Sequence, residues 1–530
     1  VECGDGVENI GTSAFESCLN LTSVQFGKSV ADIGDRAFYE CKKLTAVDLP
    51  ASVTRVGDSA FANCSSLASL TVSDAAAEIG SAAFADCAVL STLDLGGSLV
   101  NIGAGAFSAC VGLDSVTIPD SVTSVGESAF RECAGLDTLV IGKGVQQIGH
   151  LAFSDCPNLQ EVEYNAIVAE DIEEYSGLNR GVSPFCGSGT ASGGMSVTFG
   201  DSVEHIPAFL FCDTPLSGIG TFKVKDVTIG RNVKSIGNAA IYPGSYEFLD
   251  ITDLAAWCAI EFEEYNPLYT AEKVRVQGVQ VPSLVIPDGV ESISDMAFAG
   301  CVAATSIVLP DSVIEIRQYA FQGSTAEIIW GDAPAITEIG SRAFAGYLGE
   351  ELTIPDSVVK VYSDSFGDTL DSHFMQVEGA IAYVDDWAVR YDYEALLSMI
   401  EASPIENEMI EIQLREGTVG IASASPQDYD TIISFTLLIP YTSKLTIPAS
   451  MRHINAGSCV VAREIVFEGT TSGWNAVSKG IGWNNVKELY SLMVGGEEVD
   501  VTELEAMWSE YVASEVQCTD GNVPIEWIFE

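Results

Sequence analysis

Apolar residues recur along the first part of the chain at a fixed step of 23 residues. Each repeat carries a phenylalanine, with a cysteine three residues later and a leucine six residues later. A fixed period of this length predicts a stack of equivalent coils rather than one compact core. The phenylalanines are Phe15, Phe38, Phe61, Phe84, Phe107, Phe130 and Phe153, and the cysteines are Cys18, Cys41, Cys64, Cys87, Cys110, Cys133 and Cys156.

The repeat unit predicts one short strand followed by one tight turn. Apolar and polar residues alternate over residues 113–118, which is typical of a half-buried strand. Pro119 ends this strand because proline cannot donate to a ladder. Gly126 is expected to adopt a backbone geometry that a Cβ would hinder, and residues 128–130 are expected to form a 3₁₀ or helical turn with Phe130 in the core. Strands of successive units should pair in parallel.

The run IPDSVTSVGESAFRECAGLDTLVI at 118–141 resembles the BspA-like, or Treponema-type, leucine-rich repeats of bacterial surface proteins. The resemblance covers residues 1–165 and returns at 284–367, where Phe298, Phe321 and Phe344 again lie 23 residues apart. It implies an α/β leucine-rich-repeat solenoid that is right-handed. A parallel β-sheet would form one face, and short helical or 3₁₀ turns the other.

The pattern divides the chain into four parts. Residues 1–165 are a regular block of repeats, 166–283 are irregular coils with an insert, 284–370 are a second regular block, and 371–530 are degenerate coils with an enlarged C-terminal cap. Solenoid ends need caps that cover the apolar face of the last coil. The tryptophans expected in this capping core are Trp474, Trp483, Trp508 and Trp527.

Three irregular segments carry local predictions. Leu254, Ala255 and Cys258 lie at helical spacing and predict a short helix. Residues 380–392 predict two strands joined by an Asp-Asp turn. Further helices are predicted at 393–400 and 501–512.

The charge excludes two classes of partner. The chain has 24 basic and 75 acidic residues, which gives a net charge of −51. Such a surface repels nucleic-acid phosphates and anionic membranes. The charge therefore indicates a solvated outer face, and attraction to a cationic partner or to divalent cations is the alternative. No uninterrupted apolar run is long enough for a transmembrane helix. Because the chain begins inside a repeat, we expect a leader and any anchor to lie outside it.

Residues with catalytic or ligand chemistry are sparse. The ladder cysteines are interpreted as buried thiols, with disulfides as the alternative. The four histidines, His150, His205, His373 and His453, are far apart in sequence, so neither a His-based triad nor a three-His metal site is expected. No cofactor is predicted. Acidic runs at 170–174 and 497–500 are interpreted as solvated loops, with calcium binding as the alternative.

The strand face is the predicted binding surface. Its outward positions are small and polar in the first block, whereas a sugar platform would need aromatic rings. Aromatic candidates occur later, at Tyr242, Tyr246, Trp330, Trp387 and Tyr391. The outward positions offered as binding residues are Gln25, Asp48, Thr71, Asp94, Thr117 and Glu163, with Val140 in the same row.

The leading functional hypothesis is a non-enzymatic protein that is secreted or held at the bacterial cell surface. As the resemblance implies, it would bind a protein or glycoprotein of host or neighbouring cells in the manner of an adhesin. One alternative is a structural spacer that carries other domains, and another is a carbohydrate-active or proteolytic enzyme. Neither Asp385 nor Asp386 is expected to be catalytic, because neighbours on a strand point to opposite faces.

Overall fold

The computed structural model describes residues 1–172, 183–212, 222–242, 244–367, 375–378, 380–391, 395, 398–399, 410–423, 442–455, 462–479 and 513–525. The chain forms two compact units, Val1–Pro282 with Val302–Ala304, and Ser283–Cys301 with Thr305–Glu530. Each unit is a stack of coils made of short, mostly parallel strands. This architecture confirms the predicted leucine-rich-repeat solenoid.

The strands of the first unit are mostly two to six residues long. They are β1 (Asn9–Ile10), β2 (Asp32–Ile33), β3 (Ala46–Asp48), β4 (Arg55–Val56), β5 (Ser69–Thr71), β6 (Glu78–Ile79), β7 (Thr92–Asp94), β8 (Asn101–Ile102), β9 (Ser115–Ile118), β10 (Ser124–Val125), β11 (Thr138–Ile141), β12 (Gln147–Ile148), β13 (Glu161–Tyr164), β14 (Met195–Phe199), β15 (His205–Ile206), β16 (Phe211–Cys212), β17 (Val224–Ile229), β18 (Ser235–Ile236), β19 (Ile241–Tyr242), β20 (Tyr246–Ile251), β21 (Glu261–Phe262), β22 (Ala271–Val276) and β23 (Val279–Gln280).

The second unit continues with short strands. They are β24 (Ser283–Val285), β25 (Ser292–Ile293), β26 (Ser306–Val308), β27 (Glu315–Ile316), β28 (Glu327–Ile329), β29 (Glu338–Ile339), β30 (Lys360–Val361), β31 (Met375–Glu378), β32 (Ile381–Val384), β33 (Trp387–Tyr391), β34 (Ile410–Gln413), β35 (Gly420–Ile421), β36 (Thr442–Ile447), β37 (His453–Ile454), β38 (Glu464–Phe467), β39 (Ser478–Lys479), β40 (Glu515–Cys518) and β41 (Gly521–Pro524).

Each coil contributes to two parallel ladders. In the first unit the two-residue strands run in the order β1-β2-β4-β6-β8-β10-β12, and the face strands form the sheets β3-β5-β7 and β9-β11-β13-β14-β17-β20-β22-β23. In the second unit the face strands β24-β26-β28 and the ladder β25-β27-β29-β30 repeat this arrangement. The partners lie one repeat apart, as in the pair Val116 and Leu139. Alternate residues of each face strand therefore point into the core.

The phenylalanines form one file of stacked rings along the coils of the first unit. From Phe15 to Phe153 neighbouring ring centroids lie between 4.9 and 5.5 Å apart, with ring planes within 10° of parallel. Phe185 and Phe211 continue the file although they depart from the 23-residue step. In the second unit Phe298, Phe321, Phe344 and Phe366 form a similar file.

The phenylalanine segment forms the predicted tight turn, and its conformation is neither 3₁₀ nor helical. The residues two before and two after Phe38, Arg36 and Glu40, have φ of 55° and 57°, which breaks any helix. The amide of Phe38 donates to the Ala60 carbonyl of the next coil at 2.7 Å. Hydrogen bonds between coils thus alternate with turn bonds within the coil, such as that from the Tyr39 amide to the Arg36 carbonyl at 3.1 Å. The bonds between coils link the phenylalanine turns of successive coils into one ladder of hydrogen bonds.

The cysteines line the same turn. The thiols of Cys41, Cys64, Cys87, Cys110, Cys133 and Cys156 each donate to the carbonyl of a phenylalanine of an earlier coil, at 3.2 to 3.4 Å. These six ladder cysteines are buried and form no disulfide, as the buried-thiol interpretation predicts, whereas that interpretation is wrong for Cys18, which is exposed. The thiol therefore combines an apolar body with a weak donor, which alanine would lack.

The irregular segments agree with several local predictions. The structure contains helix α1 (Leu254–Trp257), a 3₁₀ helix (Pro267–Tyr269) and helix α2 (Thr471–Ala476). Strands β32 and β33 form the predicted antiparallel pair. Trp474 is buried against Phe467. The predicted helix at 501–512, most of that at 393–400, and Trp483, Trp508 and Trp527 lie outside the described residues.

No helix in the described part of the chain is long and apolar enough to cross a membrane.

Candidate binding surface

The predicted polar row lies on the outward side of the face strands. Thr71 pairs with Asp48 on one side and Asp94 on the other, within β3-β5-β7. Thr117 and Glu163 both flank Val140 in the eight-stranded sheet. Gln25 and these polar residues are exposed. The row is divided between two sheets, because Asp94 is followed by Gly96 in the left-handed region, whose amide bonds to the Asp94 carboxylate.

The eight-stranded sheet changes chemistry towards its end. On β20 and β22 the outward positions hold Phe248, Lys273 and Arg275, which we call the Phe248 cluster. The Arg275 guanidinium lies 3.5 Å and the Lys273 ammonium 5.0 Å from the ring centroid of Phe248. Glu247 pairs with Lys273 at 3.1 Å, and Asp226 lies 3.9 Å from Arg275. Strand alternation within residues 246–251 and 271–276 was the signal that could have revealed this cluster.

A second feature lies on the face of β24-β26-β28 in the second unit. Val285, Val308 and Ile329 pair across these strands in one outward row, which we call the apolar row. Val285 is 62% exposed and Ile329 is 39% exposed. In the repeat they occupy the same position as Thr117 in the first block, since SLVIP at 283–287 aligns with SVTIP at 115–119. The outward row is therefore apolar here, whereas in the first block it is polar except at Val140.

Two of the five aromatic candidates from the sequence, Tyr246 and Trp387, belong to the core. Tyr246 is buried and its hydroxyl donates to the Pro267 carbonyl at 2.7 Å, while Trp387 is also buried. Trp330 is half-buried and its indole donates to the Thr353 carbonyl at 2.9 Å. The side chain of Tyr391 lies outside the described residues.

Tyr242 has a different environment, which sequence reasoning did not reveal. It is half-buried, and its ring centroid lies 4.9 Å from that of Tyr265. The Tyr265 ring in turn lies 6.1 Å from that of Tyr269. Tyr265 and Tyr269 are 45% and 36% exposed, respectively. We call these three residues the tyrosine cluster.

One histidine contact was not expected, because sequence distance was taken as distance in space. His205 lies 3.0 Å from the Asp171 carboxylate through Nε2 and 2.8 Å from the Ser235 hydroxyl through Nδ1. Successive coils bring these three residues together although they lie 34 and 30 residues apart in the sequence. The backbone amides of His205 and Ser235 donate to carbonyls of the preceding coils, so they are not available as oxyanion donors. The contact therefore ties coils together.

A cleft of 270 Å³ adjoins this contact. Gln147, His150, Glu170 and Asp171 are among its lining residues, and the Gln147 amide donates to the Glu170 carboxylate at 2.8 Å. Residues 173–174 and 497–500 of the two acidic runs lie outside the described part. Among the described residues, no group of three His, Cys, Asp or Glu side chains could hold a metal ion.

The buried ladder thiols are poor nucleophiles. Burial raises the pKa of Cys87 and Cys156 to about 12, and it raises the pKa of Cys110 and Cys133 as well. The thiolate is the reactive form of cysteine. These cysteines therefore support the fold rather than chemistry.

The comparisons with known proteins agree with the repeat architecture. A family model described as the BspA type leucine-rich repeat region matches residues 1–113, 100–176 and 276–394, with six copies. These ranges include more than half of the chain. The chain belongs to the BspA-type leucine-rich repeat family. Proteins of this family and fold are typically non-enzymatic.

Several solved structures are similar to this BspA-type protein. A leucine-rich repeat protein from Bacteroides ovatus is 23% identical over 62% of this chain and 77% of its own, with a TM-score of 0.36. A leucine-rich repeat protein of T. pallidum is 34% identical over 27% and 68%, with a TM-score of 0.25. A leucine-rich cell surface protein from Faecalibacterium prausnitzii is 19% identical over 90% and 92%, with a TM-score of 0.23. No curated protein matches this chain.

Proposed function

We propose that this chain is a non-enzymatic recognition protein that is secreted or held at a bacterial cell surface. It binds a protein or glycoprotein of host or neighbouring cells through the outward face of its strands. The observation that supports this proposal is the apolar row, in which Val285, Val308 and Ile329 lie side by side on a solvent-facing sheet. The surface location is carried over from the family resemblance.

The apolar row is unfavourable unless something covers it. Exposed apolar side chains in a contiguous group are typical of interaction sites. The repeat does not require them, because Thr71 and Thr117 occupy the same position in the first unit. A spacer without a ligand would gain nothing from three apolar side chains there. β-branched residues also lose little rotamer freedom on binding, which favours affinity.

The test measures binding of the full chain to immobilised mucin and matrix glycoproteins by biolayer interferometry. The double variant Val285→Thr with Ile329→Thr keeps the strand propensity of the row and removes its apolar groups. We expect saturable binding by the wild type and a loss of about tenfold or more in the variant, since each methyl contributes about 0.8 kcal/mol when buried.

Val302 and Val359 are the matched controls, because they are 55% and 43% exposed and lie outside the named strands. Val302→Thr with Val359→Thr should bind like the wild type. Equal losses in the two double variants would contradict recognition by the apolar row. No saturable binding by the wild type would favour the spacer, and turnover of a glycan or peptide would favour an enzyme.

A further inference from the structure

The tyrosine cluster lies apart from the eight-stranded face sheet. Tyr242 belongs to β19, which pairs with β16 in a separate two-stranded sheet. Tyr265 precedes the 3₁₀ helix, and Tyr269 ends it. The cluster is therefore a surface distinct from the one that carries the proposed function.

The backbone holds these rings in fixed positions. The buried Asn266 side chain accepts a hydrogen bond from the Leu268 amide at 2.6 Å and begins the 3₁₀ helix. The Glu263 carboxylate accepts from the Asn238 amide at 2.9 Å, and the Glu264 carbonyl accepts from the Ala239 amide at 3.2 Å. The loop that presents Tyr265 is thus bonded to the preceding coil just before Tyr265 and to itself just after it. Because the backbone that carries these rings is already ordered, the rings lose little conformational entropy when a ligand binds.

The segment that contains the cluster, which lies between Lys234 and Lys273 in the sequence, carries charge of one sign. Between residues 235 and 272 the sequence contains no lysine, arginine or histidine, and it contains seven aspartates and glutamates. Glu261, Glu263 and Glu264 are exposed within the loop that leads to Tyr265. The face of an aromatic ring is itself negative and attracts cations. Ring faces and carboxylates therefore favour the same kind of ligand.

Elsewhere in this protein, cations of the chain itself lie over several aromatic rings, of which Tyr39 and Tyr362 are half-buried and Tyr383 and Trp474 are buried. No described cation lies over the rings of Tyr242 or Tyr265. A cation supplied by another molecule would complete the same contact here. The internal examples are Arg36 over Tyr39 at 4.3 Å, Lys360 over Tyr362 at 4.5 Å, Arg415 over Tyr383 at 4.5 Å and Lys479 over Trp474 at 4.5 Å.

We propose that the tyrosine cluster binds a lysine or arginine side chain of a basic segment in a partner polypeptide. The rings of Tyr242 and Tyr265 are inclined by 46°, and those of Tyr265 and Tyr269 by 68°. Inclined rings present several faces to one cation, whereas stacking of a sugar ring uses a flat platform. The net charge of −51 brings a basic segment to the surface, and the cluster selects where it docks.

The test uses the full chain and a short fluorescent peptide of alternating lysine and glycine, with anisotropy measured at physiological salt. The control peptide carries norleucine in place of lysine, so it keeps the apolar stem without the charge. Tyr265→Leu removes the ring. Leucine is compatible with the backbone there, because Leu151 has a φ of 58° and Tyr265 a φ of 56°. Tyr265→Phe keeps the ring, and Tyr39→Leu removes an accessible ring elsewhere.

We expect Tyr265→Leu to weaken lysine-peptide binding by about five- to tenfold, the range of a partly desolvated cation–ring contact. Tyr265→Phe and Tyr39→Leu should bind like the wild type, and the norleucine peptide should not bind. Unchanged binding by Tyr265→Leu, or an equal loss in Tyr39→Leu, would overturn the proposal, because binding would then be general attraction to an acidic surface. Equal binding of the norleucine peptide would show an apolar site instead.

Discussion

At the scale of single residues, the turns store strain in the left-handed region. Ala82 has a φ of 52° two residues before Phe84, and Gly105 occupies the equivalent position before Phe107 with a φ of 62°. The left-handed conformation costs a residue with a Cβ about 1–2 kcal/mol. Glycine avoids that cost, although it loses more entropy on folding.

We therefore expect Ala82→Gly to raise the free energy of unfolding by up to about 1 kcal/mol, and Gly105→Ala to lower it by about 1 kcal/mol. A Cβ at Gly105 would meet nothing within 4 Å, so its effect would be conformational alone. Urea denaturation followed by circular dichroism measures both values. A shift of the same sign in the two variants would show that φ is not the cause.

The cysteines allow a second residue-level prediction. In native protein at pH 8 a thiol reagent should modify exposed Cys18 and leave Cys110 and Cys133 unmodified, since burial raises the pKa of the latter two and keeps them protonated. Peptide mass spectrometry after timed labelling measures this. Labelling in denaturant is the control and should modify every cysteine. Rapid native labelling of Cys110 would contradict the buried, protonated thiol.

At the scale of elements, close approach of neighbouring coils explains the repeated glycine. The sequence suggested a special backbone geometry for Gly126. The structure gives another reason, because a Cβ at Gly126 would lie 2.6 Å from the Ala104 amide nitrogen of the previous coil. Backbone cannot move aside there without separating the coils. The same residue type therefore has different roles at Gly126 and Gly105.

We expect Gly126→Ala to destabilise the protein by about 2–3 kcal/mol, the upper part of the range for overpacking. Gly105→Ala is the matched control, because the same methyl group enters open space there. The difference in stability between the two variants is measured from their denaturant midpoints, provided that the slope of the unfolding transition is unchanged. Equal destabilisation by the two variants would refute close approach as the reason for Gly126.

The sequence predicts strands and buried positions where a residue type recurs at a fixed step. It does not predict the contacts of the irregular coils, where that step is absent. Strands and buried columns follow from alternation and from the 23-residue step, so the strand containing Val116 could be predicted. The conformation of the tight turn could not, because a short run such as Ser128–Ala129–Phe130 fits a helical or a non-helical turn equally well. The tyrosine cluster lies in irregular coils, where contacts depend on spacing that only the structure provides, whereas strand alternation could have revealed the Phe248 cluster. Glu163 and the other polar outward positions remain predictions as binding residues.

At the scale of the whole molecule, charge opposes folding. A net charge of −51 on one chain repels itself, and salt screens this repulsion. We expect the thermal midpoint to rise by several degrees between low salt and half-molar sodium chloride, as measured by calorimetry. A variant with Asp48→Asn, Asp94→Asn and Glu163→Gln should show a smaller rise. A midpoint that falls with salt would mean that attractive ion pairs dominate.

The stacked architecture also determines how a local loss of packing affects the other coils. The Phe84 amide donates to Ala106 and the Phe107 amide to Ala129, so each coil protects amides of its neighbour. Phe107→Ala should cost about 3–5 kcal/mol and leave a gap in the file of rings. In an array coupled only between neighbours, amide hydrogen exchange should then accelerate most in the adjoining coils and less with each coil further away. Thr117→Ala, which changes an exposed side chain of the same region, should leave exchange unchanged. Uniform acceleration across the first unit would instead indicate a single cooperative core, and the nearest-neighbour description of this solenoid would fail.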